Sequence, residues 1–407
     1  MAMRPIFSAL MRNKAGLALI VVQVAITLAV ICNSLFIVLE RSTRVGRPSG
    51  MDETGTFTID SLGFAADYDV RDTIHADLAR LRALPGVIDA TSTNTTPLTN
   101  GGWSTGVTTE PGRGVDSSGV QPAAMYFMDE HGLDAFGVRL VEGRAFQAGD
   151  VREFNQNTRI QSSVAILTQA LADVLFPDGG AVGRQIYGIA NDNQPVTVIG
   201  IVERLQVPWV GWTDVEQSVL VPAIQIDGNF SRYLVRAEPG QRDALMPQVE
   251  KALQDGHSGR LVRRMRSIEE ARTRVYRQDH AMMSILGGTM VAMLVITGLG
   301  IVGLTSFWVT RRMKQIGTRR ALGARRGDIR SYFQTENALM IGFGILLGAL
   351  LTYGFNAWLM QNFNTARLPW PYLPMGALAM AVLGQLAVLG PASRAASVTP
   401  ALATRTA

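Results

Sequence analysis

AGLALIVVQVAITLAVICNSLFIVL, residues 15–39, is a run of 25 residues without an acidic or basic side chain, set between Lys14 and Glu40. A bilayer's hydrocarbon core needs about 20 apolar residues in helical form, so this stretch is long enough to span. Outward from it, three more charge-free stretches lie at 281–310, 337–366 and 368–393. One span before and three after leave residues 40–280 as a single large domain held outside the membrane plane.

The charge follows the same division. Residues 40–280 carry 24 basic and 31 acidic side chains, the rest of the chain 14 and 2. The overall excess of +5 therefore sits beside apolar spans, and nucleic acid is not an expected partner. The lipid bilayer is. The first span has a positive lead (Arg4, Arg12, Lys14), as a secretory signal would. Its apolar core is much longer than a signal's, and no small-x-small cleavage pattern follows Glu40, so a retained anchor helix is expected. The single cysteine, Cys32, falls within this span and reads as a buried apolar thiol.

Positive residues in short loops mark the cytoplasmic side. The loop between the second and third spans holds Arg311, Arg312, Lys314, Arg319, Arg320, Arg325, Arg326 and Arg330, and the last tail holds Arg394 and Arg405. The turn at 367–372 holds only Arg367 beside Trp370 and Tyr372, an interfacial pattern. The expected topology is four spans with both termini cytoplasmic (1–14 and 394–407) and domain 40–280 outside. Gly344 and Gly348 form a small-xxx-small pair suited to close helix packing, as do Ser284 and Gly288 one span earlier. With no Asp, Glu or Lys inside a span, the four helices are not expected to enclose a polar route.

Within the exported domain, Thr56–Asp60 alternates at strand period, and Val70, Ile74, Leu78, Leu81 and Leu84 recur at helical spacing. Pro85-Gly86 ends that helix before a strand at 87–91. Further strands are expected at 120–128, 163–167, 196–202, 218–223 and 233–237, and helices at 168–175 and 242–253. Residues 92–119 read as a loop. The expected class is an α+β domain in two lobes, with 136–215 as the inserted lobe. Residues 264–280 read as a helical stalk continuous with the second span.

None of the three lysines (Lys14, Lys251, Lys314) follows a glycine, so no Gly-Lys-[Ser/Thr] phosphate loop occurs. Gly298, Gly300 and Gly303 match Gly-x-Gly-x-x-Gly but lie inside an apolar span, where the fingerprint has no meaning. His75, His131, His257 and His280 have no metal-ligand spacing. Asp129-Glu130-His131 reads as a solvated turn. No catalytic residue, bound cofactor or metal is expected, and the chain is not expected to be an enzyme.

Residues 311–336, RRMKQIGTRRALGARRGDIRSYFQTE, are more than a basic tether. Ile316-Gly317 and Ala321-Leu322-Gly323-Ala324 make an apolar, glycine-marked ridge that charge alone would not require. The segment resembles the signature of FtsX-like/MacB-like ABC transporter permeases at Ile316, Gly317, Arg319, Ala321, Leu322, Gly323, Ala324, Asp328 and Ile329, followed by Phe333 and Glu336. Gln315 stands where that family usually has an acidic residue. Glu142-Gly143-Arg144-Ala145-Phe146, Val198–Val202 and Pro391-Ala392-Ser393-Arg394-Ala395-Ala396, with Pro400-Ala401, are similar to other family motifs.

The resemblance implies a permease subunit of the bacterial inner membrane with a periplasmic porter/Sabre-like domain and no motor of its own. ATP would be held by a cytoplasmic ABC ATPase docking on Gln315, Ile316, Gly317, Arg319, Arg320, Ala321, Leu322, Gly323 and Ala324. A second permease, identical or different, would pair with it, and a periplasmic adaptor is a candidate partner. Two functions fit: efflux of a peptide-like or amphiphilic compound, or FtsX-like regulation of an extracytoplasmic partner without transport.

Overall fold

The computed structural model of the chain describes residues 14–113, 117–155, 158, 160–191, 193–363 and 366–397. Arg4, Arg12, Arg405 and the Pro400-Ala401 motif fall outside them. Two compact units emerge, residues 1–45 with 278–407, and residues 46–277.

In the first unit, four helices are long and apolar enough to cross a membrane: α1 (Lys14–Val45), α7 (Arg277–Arg311), α9 (Arg326–Phe363) and α10 (Tyr372–Ala396). At 1.5 Å per residue, the 32 residues of α1 reach about 48 Å, so its ends extend well beyond the ~30 Å apolar core. Glycine lets α9 lie directly on α1. A Cβ at Gly344 would stand 2.7 Å from Val24 Cβ, and one at Gly348 would stand 3.0 Å from Ala25 Cα. Gly384 of α10 receives Ile341 in the same way. Ser284 and Gly288 differ: both face outward, and Gly288 has nothing of this chain nearby.

The spans hold no charge, yet their contacts are polar at several points. Thr27 and Thr297 hydroxyls meet at 2.8 Å, Asn33 Nδ2 donates to Thr352 O at 3.2 Å, and Asn337 Nδ2 donates to Gly384 O at 2.8 Å. Such bonds contribute about 0.6 kcal/mol each and fix which helix faces meet. Cys32 is fully buried beside Tyr372.

The second unit is built on a four-stranded antiparallel sheet. Its strands are β1 (Thr56–Gly63), β2 (Val87–Ser92), β11 (Phe230–Ala237) and β12 (Arg260–Ser267), in spatial order β12-β1-β11-β2. Helix α2 (Val70–Arg82) joins β1 to β2, and α5 (Arg242–Gly256) joins β11 to β12. This is the split β-α-β, β-α-β arrangement of ferredoxin-like folds. Ile74, Leu78 and Leu81 of α2 and Leu245, Val249 and Leu253 of α5 bury against Phe57, Ile59 and Val235. The Asp69 side chain caps α2 by accepting from Asp72 N at 3.1 Å.

Between β2 and β11 the chain leaves to build a second, mixed sheet, ordered β3-β4-β10-β7-β9-β5. Its strands are β3 (Trp103–Val107), β4 (Gln121–Met128), β5 (Leu140–Gly143), β7 (Val164–Thr168), β9 (Val196–Val202) and β10 (Ser218–Gln225). Short β6 (Arg152–Phe154) and β8 (Gln185–Ile186) pair with β10 and β9, α4 (Gln169–Leu175) packs on this second sheet, and α3 (Gly132–Phe136) lies against β2 and β11 of the first. The inserted lobe is therefore much larger than 136–215. Residues 92–119 contain β3, whose polar sequence Trp-Ser-Thr-Gly-Val is held as strand by pairing with β4 rather than by its own propensity.

The stalk also differs from expectation. Residues 260–267 are strand, because Arg260 and Val262 turn inward while Leu261 and Arg263 face solvent on the edge beside β1. Helix α6 (Ile268–Val275) follows, N-capped by Ser267, and the backbone breaks at Tyr276 (φ −92°, ψ 4°) before α7. Tyr276 is fully buried, with its hydroxyl 3.5 Å from Gln206 Nε2.

Candidate functional site

The segment between α7 and α9 is a compact hairpin. Helix α7 ends at Arg311, and Arg312 precedes the short helix α8 (Met313–Ala321). Arg312 Nη1 donates to both carboxylate oxygens of Glu336, at 3.0 and 2.9 Å. Ile316 and Gly317 of α8 are buried, and Ile316 packs in a cluster with Ile329 and Phe333 of α9 and Ala392, Ala395 and Ala396 of α10. The Arg319 guanidinium lies 4.9 Å from the Tyr332 ring centroid, and Arg320 Nη1 donates to Ala396 O.

The turn is specified residue by residue. Gly323 adopts φ +97°, Gly323 N donates to Arg320 O, and Ala324 N donates to Arg319 O. That is the Schellman ending of a helix, which needs glycine at the left-handed position. Asp328 Oδ2 then accepts from Arg325 N at 2.8 Å, capping the start of α9.

The family-like residues thus sort into two sets. Ile316, Gly317, Ile329, Phe333 and Glu336 are buried within the hairpin and Asp328 caps α9 from its surface, so two of the six ridge residues, Ile316 and Gly317, face inward. Gln315, Ala321, Leu322 and Gly323 face out, Ala324 is half-buried, and Leu322 is 84% exposed at the apex. Lys314, Arg319, Arg325, Arg326 and Arg330 of the same segment are exposed, as is Asp328 among them. The Arg312–Glu336 pair was not legible, because 24 positions separate its members.

In the second unit, Asp129-Glu130-His131 is not a solvated turn. Asp129 is 3% exposed, pairs with Arg82 and accepts from Thr91 Oγ1 at 2.8 Å. Burial pushes its carboxyl above the usual range, with Arg82 and Thr91 opposing. His131 Nδ1 lies 2.9 Å from Asp89 Oδ2. These contacts join the two lobes. Among the described residues no three His, Cys, Asp or Glu side chains group as a metal site would.

One-plus-three apolar helices, a two-lobe α+β domain and a basic hairpin between the second and third helices define an ABC transporter permease of the MacB/FtsX type. The FtsX-like permease C-terminal model matches residues 287–400 and the MacB-like periplasmic core domain model matches 20–254. The latter covers more than half of the sequence, and the chain belongs to this MacB-like family. The Chromobacterium violaceum macrolide export ATP-binding/permease protein MacB is 29% identical over 273 residues, which are 65% of this chain and 40% of that protein. The uncharacterized ABC transporter permease YvrN of Bacillus subtilis is 25% identical over 265 residues, 61% of this chain and 60% of that one. The chain therefore matches about two fifths of the length of the first relative and three fifths of the second.

Among solved structures, the periplasmic region of MacB from Actinobacillus actinomycetemcomitans shares 16% identity at a TM-score of 0.34, covering 57% of this chain and 97% of that one. The extracellular domain of the noncanonic ABC-type transporter YknZ from Gram-positive bacteria gives 16% and 0.32, covering 51% and 100%.

Proposed function

We propose that this permease carries the motion of a separate cytoplasmic ABC ATPase to the 46–277 domain, driving efflux of a peptide-like or amphiphilic compound from the periplasmic side. The observation that carries the reading is the hairpin apex: Leu322 exposed at 84% on a turn fixed by Gly323 and braced by Arg312–Glu336. We place ATP on the partner; none of the three lysines in this sequence follows a glycine as a phosphate loop requires. The spans lie in the inner membrane with the hairpin and both termini cytoplasmic, as the arginine distribution favours.

A second permease fits the outward face of α7, where Ile285, Val291, Val295 and Leu299 are exposed and Gly287, Gly288 and Gly303 have no neighbour in this chain. A periplasmic adaptor would meet the exported lobes. The relatives named for macrolide export make amphiphilic antibiotics the first compounds to assay.

The test is co-purification of the ATPase with the wild-type chain, Leu322→Asp and Leu322→Met, with thermal unfolding as the fold control. Loss of the ATPase in Leu322→Asp alone, at unchanged melting temperature, is expected. Retention of the ATPase by Leu322→Asp overturns the docking assignment.

A further inference from the structure

The loop joining β9 to β10 is rooted beside both segments that lead into membrane-crossing helices. Gln206 N donates to Ser49 O at 2.7 Å, four residues after α1 ends. Gln206 Nε2 lies 3.5 Å from the Tyr276 hydroxyl, one residue before α7 begins. Gly50 closes on the backbone of Arg204 and Leu205, with no room there for a Cβ. Tyr276 precedes Ala281, where the charge-free run of α7 starts, by five residues. At 1.5 Å per residue it stands about 7.5 Å or less outside the hydrocarbon. The headgroup layer is itself about 5–8 Å deep on each side.

The loop is stiff. Val207 N donates to Val215 O at 2.8 Å and closes it, and Trp212 N donates to Trp209 O at 3.2 Å across its tip. A second segment braces it: Asn100 N donates to Pro208 O at 3.0 Å, and Val210 N donates to Asn100 Oδ1 at 3.3 Å. Leu98 and Asn100 hold this brace at φ +67° and +56°, left-handed backbone that a leucine adopts only under constraint.

The tip reads Trp209-Val210-Gly211-Trp212. Its two indoles stack on each other, with centroids 4.8 Å apart and planes 19° from parallel. Both remain partly exposed, and Gly211, Thr213 and Asp214 beside them face solvent. Indoles, with an apolar body and one N–H donor, concentrate at the headgroup level of bilayers. A carboxylate is costly any deeper.

We propose that Trp209 and Trp212 anchor this loop in the headgroup layer of the membrane that α1 and α7 cross. The partner is lipid: the indole bodies lie against the upper acyl chains, their N–H groups donate to headgroup or ester oxygens, and Asp214 limits the depth. Because Gln206 joins the loop to both linkers, a loop held at lipid holds Ser49 and Tyr276 at the same level. The proposal rests on α1 and α7 as membrane spans and not on the ATPase-docking or efflux readings.

Gly211→Cys and Gly149→Cys, both exposed with open space around them, are each labelled with an NBD fluorophore on the full chain in lipid nanodiscs. The wild-type chain, whose Cys32 is buried, is the labelling blank. A spin label on the lipid headgroup is expected to quench the fluorophore at 211 about twofold or more relative to that at 149. A spin label at the far end of the acyl chain is expected to quench neither. In the Gly211→Cys background, Trp209→Ser with Trp212→Ser is expected to abolish the headgroup quenching, and Trp209→Phe with Trp212→Phe to keep most of it. Quenching at 211 no greater than at 149, as a loop facing water or a protein partner would give, overturns the proposal. Undiminished quenching in the serine pair also overturns it, because the loop would then lie near lipid through its tether alone. The comparison of 211 with 149 keeps both rings intact, so it decides the matter even if the serine pair fails to fold.

Discussion

Arg312 and Glu336 close the hairpin between α7 and α9 by two hydrogen bonds from one guanidinium nitrogen, with the Glu336 side chain only 3% exposed. Removing one partner of a buried pair leaves an uncompensated charge and costs about 3–5 kcal/mol, the more so when the survivor cannot reach water. Arg312→Ala is therefore expected to lower the melting temperature of the purified chain more than Glu336→Gln does. The check is thermal unfolding of both variants in the same detergent, and equal melting temperatures for wild type and Arg312→Ala would contradict it.

The α1–α9 contact depends on absent side chains. Gly344→Leu places a branched chain where Val24 and Val21 already stand, and Gly348→Leu meets Leu28 and Ala25. Either is expected to destabilise by several times the ~1–3 kcal/mol of ordinary overpacking, because backbone as well as side chain is displaced. Gly354→Leu, with open space around it, is expected to leave the yield of folded protein unchanged. Size-exclusion profiles of the three variants separate these outcomes.

A buried charge cluster holds β12 to α2. Arg260 is fully buried and donates to both oxygens of Asp77, which also accepts from Tyr233 Oη at 2.7 Å. Asp77→Ala leaves the arginine without its counter-charge, and a loss of about 3–5 kcal/mol is expected. The joint replacement Asp77→Leu with Arg260→Met is expected to recover much of it. Denaturant melts of the 46–277 domain within the full chain provide the comparison.

Acid should loosen the base of that domain. Burial alone would raise the Glu53 carboxyl, but the Arg272 guanidinium and the Ser49 hydroxyl outweigh it and hold it below the usual range. A depressed carboxyl contributes stability above the ordinary value of about 4.3 and loses it as pH falls through the folded value below that. Melting temperature followed downward from pH 5 should therefore fall more steeply in the wild type than in Glu53→Gln. Parallel curves would show that the pair does not matter to folding.

Much of this fold was legible because burial was periodic. Strands β4, β7, β9, β10 and β11 and helices α2, α4 and α5 fall near the expected positions, as alternation or helical spacing of apolar residues dictates. Strand β12 was not, since its arginines at 263 and 264 face solvent and mask the inward Val262. The boundary of the inserted lobe was missed for a related reason: β3 and β6 are strands only through their partners. At the hairpin the motif was readable, but its direction was not. Sequence shows that Ile316 and Leu322 are both apolar, and only packing shows that one is the foundation and the other the tip.

The placing of β1 and β12 has a mechanical consequence. These are the strands nearest the two membrane-bound ends of the domain, they are neighbours, and they run antiparallel with Phe57 opposite Ser267 at the open end. Pulling the two ends apart would load their ladder one rung at a time, like a zipper drawn from its mouth, which is the weakest way to strain a sheet. Arg272 bridges that mouth, gripping both oxygens of Glu53 and donating to Arg47 O at 2.9 Å. With the mouth clipped shut, a tug on either end moves the two strands as one ribbon instead of peeling them.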